Sequence, residues 1–369
     1  MARIVIILQD LGGGGAEKMM VRLANQLVED GDEVSMLLLM AGGENLQWLN
    51  PRVNLLEICA TRSVKALPTL RRWLKQLQPN AVLSALTHVN VISILACASL
   101  GWLARLSVSE RNTFSLDRGV NSNWQVRTAY AVAPLLYRLL KKPVIAVSKG
   151  VAMDLVASAH INAKQVTTAP NPVIHHDWLV QARAASHHPW LQNKTTKVIV
   201  AMGRLVPQKG FDWLIEAFAK LALQQNCRLV VFGEGPLRAE LTKQAAILGV
   251  ADRVDFPGYS SNPLAEIRVA DLFVLSSRFE GSPNALVEAM ALGTPVVAFD
   301  CPHGPREILA DGQLAPLVDL GDVEGLYQAM LASLQLPISE QGRQRLVQGV
   351  SRFEAATATR HYRQLLLGA

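Results

Sequence analysis

The sequence predicts an α/β protein of two doubly wound domains, each a parallel sheet flanked by helices, facing one another across a cleft. Three observations carry that expectation. Apolar runs of strand length alternate with amphipathic runs of helix length along the chain, which is the pattern of repeated βαβ units. The 369 residues suit two ordinary domains, each able to bury its own core. A strand, a glycine-bearing loop and a helix follow one another near the start of each half, at Ile4 to Glu29 and at Lys197 to Leu223. The expected division is a first domain over 1–172, a linker over 173–196, a second domain over 197–350 and a final segment over 351–369.

In the first domain, the strand Ile4 to Gln9 leads through Asp10-Leu11-Gly12-Gly13-Gly14-Gly15 into a helix from Ala16 to Glu29. Glycines let the backbone approach a phosphate at a helix N-terminus, so Gly14 and Gly15 are candidate ligand-binding positions, with a simple tight turn as the alternative. A dinucleotide fingerprint fails here, because Glu17 or Lys18 stands where its third glycine belongs. Asp30-Gly31-Asp32 has metal-binding D-x-D spacing but leads into the strand Glu33 to Leu39 at the amino edge of a parallel sheet, and is therefore a turn. Leu67 to Leu77 and Trp124 to Lys142 are basic amphipathic helices whose apolar faces pack on the sheet and whose outer faces attract anionic lipid. Thr87-His88 and Ser107-Val108-Ser109-Glu110-Arg111-Asn112 lie at carboxyl ends of strands, where a doubly wound sheet places its site. His88 is either a site residue or a packing histidine, and Glu110 either a site residue or the ion-pair partner of Arg111 or Arg118.

The segment Ile174 to Thr196, with four histidines and little periodicity, has the character of a linker. The second domain opens on the strand Lys197 to Ala201, and Arg204 and Lys209 follow it in one loop. Two cations there can hold a diphosphate and stabilise its charge as it leaves. After the strand Asp271 to Leu275 comes the stretch the half is organised around. Glu280 stands in the loop, Ser282 is the expected N-cap, Pro283 the first helical residue, and Gly293 the C′ glycine. The N–H groups around Gly281, Ser282, Pro283 and Asn284 suit a diphosphate. Glu288 is the only charge between Ala285 and Leu292, so it faces a polar ligand or accepts a costly burial. Two carboxylates flanking an anion site match a nucleotide sugar, with sugar hydroxyls at one end and ribose hydroxyls at the other.

This stretch resembles the E-x₇-E segment of retaining glycosyltransferases of family four, which have the GT-B fold. The likeness extends over nearly the whole chain. Gly14-Gly15-Ala16-Glu17 looks like the family's G-G-A-E loop, Arg204 to Gly210 like its R-L-x-x-x-K-G motif, and Gly233-Glu234-Gly235-Pro236 like its G-x-G-P motif. Ser109-Glu110-Arg111-Asn112 is similar to the S-E-R-N stretch of members that build bacterial surface glycans. The resemblance implies that Glu280 contacts the donor sugar, Glu288 the ribose, Arg204 and Lys209 the diphosphate, and Tyr259 the base. Glu17, His88, Glu110 and Arg111 would lie on the acceptor side. It implies a UDP-sugar as co-substrate, no metal and no cofactor, a final helix Phe353 to Leu367 crossing back to the first domain, and catalysis carried by Glu280, Arg204, Lys209 and His88.

Composition narrows the partners. Half of the residues are hydrophobic and 18% charged, and the four cysteines lie far apart, which favours a reducing cytosol. The start of the chain does not have the form of a signal peptide, and no apolar stretch is long enough to span a bilayer. The net charge of +6 is uneven: residues 60–149 carry 13 Lys/Arg against 2 acids, and the remainder 23 against 28. Aromatic and apolar interleaving favours an anionic membrane surface over nucleic acid as the partner of that basic region. The expectation is a peripheral cytoplasmic enzyme that moves a hexose or N-acetylhexosamine onto a polyprenyl-diphosphate-linked glycan. The competitors are a GT-B nucleotide-sugar 2-epimerase, a non-catalytic nucleotide-sugar-binding subunit and, more distantly, a dehydrogenase.

Overall fold

The computed structural model describes residues 1–12, 14–59, 63–120 and 124–368. Contacts divide them into two compact units, one of Met1–His175 together with the stretch from Phe353 onward, the other of His176–Arg352.

The first unit is a sheet of seven strands. They are β1 (Arg3–Leu8), β2 (Glu33–Leu38), β3 (Asn54–Glu57), β4 (Ala81–Ala85), β5 (Leu106–Glu110), β6 (Val144–Ala146) and β7 (Val166–Thr168). Their order is β3-β2-β1-β4-β5-β6-β7, every pairing parallel, with Val5 opposite Ser35 on one side and Val82 on the other. The near-continuous apolar run of β1 follows from burial on both faces. Val5 and Ile7 face a core with Leu70, Leu74, Ile92 and Tyr137; Ile4, Ile6 and Leu8 face one with Met20, Leu23 and Tyr362.

Helix Gly15–Glu29 and the last helix, Ala355–Leu367, therefore cover one face, and helices Leu67–Leu77, Thr87–Ser99 and Trp124–Tyr137 the other. Asp32 does sit in a turn, as expected, where it accepts the Ala2 amide (2.8 Å) and pairs with Arg363 of the last helix (2.7 Å). Among the described residues, no helix is long and apolar enough to cross a membrane.

The second unit repeats the design with β8 (Lys197–Met202), β9 (Cys227–Phe232), β10 (Val254–Gly258), β11 (Leu272–Leu275), β12 (Val296–Asp300) and β13 (Leu317–Asp319). Their order is β10-β9-β8-β11-β12-β13, again parallel throughout, with Ile199 between Leu229 and Leu272. Strand order reverses at β1/β4 in the first unit and at β8/β11 in the second. Loops at the carboxyl ends diverge at such a switch point and leave a crevice.

Two expectations need correction. The segment read as a linker is structured: it holds helices Trp178–Arg183 and Pro189–Gln192, with Trp178, Leu191 and His188 buried. Helices of six and four residues are too short to show a period. His188 Nε2 meets Asp255 at 2.8 Å, its ring edge-on to Trp190 and Phe232.

The helix after β11 also begins later than expected. It spans Asn284–Ala291, with Pro283 rather than Ser282 at the N-cap and no side-chain cap. Pro283 packs where Gly304 leaves room; a Cβ on Gly304 would lie 2.5 Å from Pro283 Cδ. Gly293 takes the left-handed conformation (φ +68°) that ends this helix.

Candidate functional site

In the second unit, the loops after β8, β11 and β12 meet at Glu280. Its Oε1 accepts from Lys209 Nζ at 2.6 Å and from Ser277 Oγ at 2.5 Å, and its amide donates to Pro302 O at 2.9 Å. Gly210 makes that meeting feasible. Its φ is +59°, and a Cβ there would come within 2.1 Å of Ser276 O. The aliphatic part of Lys209 crosses Gly203, whose missing side chain leaves the stem its path. The side chains of Glu280 and Lys209 are 7% and 18% exposed, so their ion pair is mostly withdrawn from water and stronger than a surface pair.

Glu280 stands just ahead of the amino end of helix Asn284–Ala291, where the dipole favours anions. Glu288, the fifth residue of that helix, is about 6 Å further along its axis and 6% exposed. The structure thus joins Lys209 to Glu280, and Gly281, Ser282, Pro283, Asn284 and Glu288 follow Glu280 along the chain into that helix. Arg204, in the same loop as Lys209, is exposed. Tyr259 is exposed beyond the end of β10, two strands away from β8.

In the first unit, Gly14 is the N-cap of the helix that begins at Gly15, and Glu17 folds back over Gly14. The neighbouring Gly13 lies outside the described residues. At the carboxyl end of β4, as expected, stand Thr87 and His88; Leu86 turns with φ +79° and the two residues form the first turn of a 13-residue helix. Burial depresses the His88 imidazole pKa, against Asp10 and Asp117, whose charges raise it.

Glu110, the last residue of β5, is not an ion-pair partner of Arg111 or Arg118 among the described residues. It is wholly buried and accepts from Thr87 Oγ1 (2.9 Å), Asn90 Nδ2 (3.3 Å) and the Tyr137 hydroxyl. Burial pushes its carboxyl up to about 7, which those hydrogen bonds only partly oppose. Arg111 is buried too, donating from Nη1 to Tyr362 Oη (2.9 Å) and from Nη2 to Asn171 Oδ1 (2.7 Å), which ties β5 to the last helix. Sequence reasoning missed Asn90 and Tyr137 as partners of Glu110. The signal for Asn90 was its place as a lone amide at the start of an apolar helix.

The two parallel, doubly wound sheets are those of the GT-B fold. Anabaena HepE, solved in complex with UDP and glucose, superposes over 100% of both chains with a TM-score of 0.79 at 19% identity. The chain carries two glycosyltransferase domains: the model described as Glycosyltransferase Family 4 matches residues 13–176, and that described as Glycosyl transferases group 1 matches residues 196–335.

Among relatives, the lipopolysaccharide core biosynthesis glycosyltransferase LpsE of Rhizobium meliloti is 37% identical. That match spans 46% of this chain and 49% of LpsE, about half the length of either. A second relative, from Campylobacter jejuni, is 27% identical over 91% of both chains. It is the N-acetylgalactosamine-N,N'-diacetylbacillosaminyl-diphospho-undecaprenol 4-alpha-N-acetylgalactosaminyltransferase.

Proposed function

We propose that the protein is a retaining glycosyltransferase that moves a hexose or N-acetylhexosamine from a UDP-sugar to a polyprenyl-diphosphate-linked glycan in bacterial surface polysaccharide assembly. The observation that carries this reading is the Lys209–Glu280 pair set beside a helix N-terminus, with Glu288 buried about 6 Å on. The HepE complexes with UDP and with UDP-glucose favour a uridine donor, and the name of the Campylobacter relative favours a lipid-linked acceptor.

In this mechanism Lys209, Arg204 and the helix-terminal amides compensate the diphosphate, a role that needs no metal ion. The bond from the anomeric carbon to the β-phosphate oxygen breaks as the bond to the acceptor oxygen forms on the same face. The leaving phosphate oxygen takes the acceptor's proton, and UDP departs. Glu280 holds the sugar hydroxyls, and Glu288 the ribose.

On this account the enzyme works at the cytoplasmic face of the membrane. Val132, Leu135 and Leu139 are 38%, 62% and 54% exposed, and Arg127, Arg138 and Lys141 are exposed beside them. Apolar and basic groups together suit an anionic lipid surface.

The test is Glu280→Gln, assayed for sugar transfer from labelled UDP-sugars to lipid extract. Turnover should fall by about 100-fold, the scale of losing one well-placed polar contact to the reacting centre. Near-normal turnover would remove Glu280 from the site. Release of free sugar without any acceptor would favour the 2-epimerase instead.

A further inference from the structure

Arg278 lies two residues before Glu280 and touches neither it nor Lys209 in any hydrogen bond or ion pair of the described residues, yet its guanidinium is held by edge and face at once. Its Nη1 and Nη2 donate to Asp212 Oδ1 and Oδ2 at 2.8 and 2.6 Å, a two-pronged contact, and Nη1 also donates to Pro207 O at 2.7 Å. The face of the guanidinium rests on the Trp213 ring, 3.9 Å from its centroid. The pairing lowers the Asp212 carboxyl below its ordinary range, although burial works the other way, and raises Arg278.

Edge and face of the guanidinium are both engaged, so its rotation is fixed. The backbone follows. The Arg278 amide donates to Gln208 O (2.7 Å), Gln208 Nε2 to Phe279 O (3.0 Å) and Ser276 Oγ to Lys209 O (2.9 Å). Asp212 and Trp213 begin helix Phe211–Ala222, which grows directly out of the Lys209 loop. The contacts therefore join two loops that approach from different strands, and Lys209 and Glu280 stand at the ends of the ladder.

We propose that Arg278, seated on Asp212 and Trp213, is a positioning residue that sets the register between the lysine-bearing loop and the Glu280 loop. The proposal rests on the donor-site reading given above. Its consequence is a split between binding and turnover. UDP affinity depends on the separate loops and helix end, whereas reaction requires Lys209 and Glu280 to be placed within a fraction of an ångström, and a misplacement of 1 Å can cost about 100-fold.

The experiment compares wild type, Arg278→Ala, Arg278→Lys and Trp213→Phe. The probes are UDP by calorimetry and UDP release from UDP-glucose, UDP-galactose and their N-acetylamino counterparts. Arg278→Ala should lower kcat at least about tenfold while the Kd for UDP stays within about threefold. Arg278→Lys should fail to rescue, since an ammonium can neither fork nor stack flat, and Trp213→Phe, which keeps a ring face, should lose less. Amine labelling read by mass spectrometry supplies a readout independent of turnover: Lys209 should be modified faster in Arg278→Ala. Unchanged kcat with unchanged labelling would overturn the proposal, as would full rescue by lysine. Should wild type neither bind UDP nor release it, the donor-site reading fails by itself, and the Lys209 labelling still decides the clamp. Should Arg278→Ala not fold, the lysine and Trp213 variants carry the comparison.

Discussion

Glu110 makes an unusual prediction about stability. Its carboxyl is wholly buried, and its folded-state pKa of about 7 stands against an ordinary value of 4.5. A carboxyl with a raised folded pKa binds its proton more tightly in the folded state. Its contribution is therefore complete below the unfolded value and is lost as pH rises through the folded one. Between pH 5 and pH 8 those two values correspond to a loss of about 2–3 kcal/mol of folding free energy from this one group.

Glu110→Gln removes the titration but keeps the shape. Its amide can donate toward Thr87 while its carbonyl accepts from Tyr137 and Asn90. The difference in stability between wild type and variant should therefore change by about 2–3 kcal/mol over that interval, with the variant favoured at pH 8. Calorimetric unfolding at pH 5, 6.5 and 8 measures this. Infrared difference spectra should show a protonated carboxyl at pH 6 that is absent from the variant. Parallel pH profiles for the two proteins would refute the argument and imply that water or a rearranged partner solvates the carboxylate.

Two further predictions concern other parts of the molecule. Gly210→Ala drives a methyl group against Ser276 O from a left-handed backbone, so it should destabilise the second unit by about 1–3 kcal/mol and lower turnover; denaturant titration and the UDP-release assay check it, and an unaffected protein would show that the two loops can separate freely. Replacing Leu135 and Leu139 by Asp touches exposed positions, so stability should change by less than about 1 kcal/mol while flotation with anionic vesicles falls several-fold; unchanged flotation would move the lipid contact elsewhere.

Much of this architecture was legible in the sequence, because burial on both faces turns parallel strands into unmistakable apolar runs such as Ile4 to Leu8 and Val198 to Ala201. Lys209, Glu280 and Glu288 were legible as candidates because charges in such a setting demand a partner or a ligand. That Lys209 and Glu280 bond each other was not, since they are 71 residues apart and meet only through the strand order β8-β11.

Local misreadings have local causes. Ser282 had every property of an N-cap, but the close approach of Pro283 to Gly304 moves the helix start to Asn284. Arg111 stood as a possible ion-pair partner of Glu110, and only the return of the last helix shows it donating to Tyr362 instead. Arg278 was invisible for the same reason: its partners Asp212 and Trp213 belong to a helix that starts from another strand's loop.

The central claim, that the second unit binds a uridine nucleotide between Lys209 and Glu288, is tested most directly by calorimetric titration of UDP, GDP, ADP and NAD into wild type and Glu288→Ala. The account predicts UDP binding to wild type, at least tenfold weaker in the variant, the scale of one charge-assisted hydrogen bond pair of about 1.5–3 kcal/mol. Binding of NAD instead, or UDP affinity indifferent to Glu288, would contradict it.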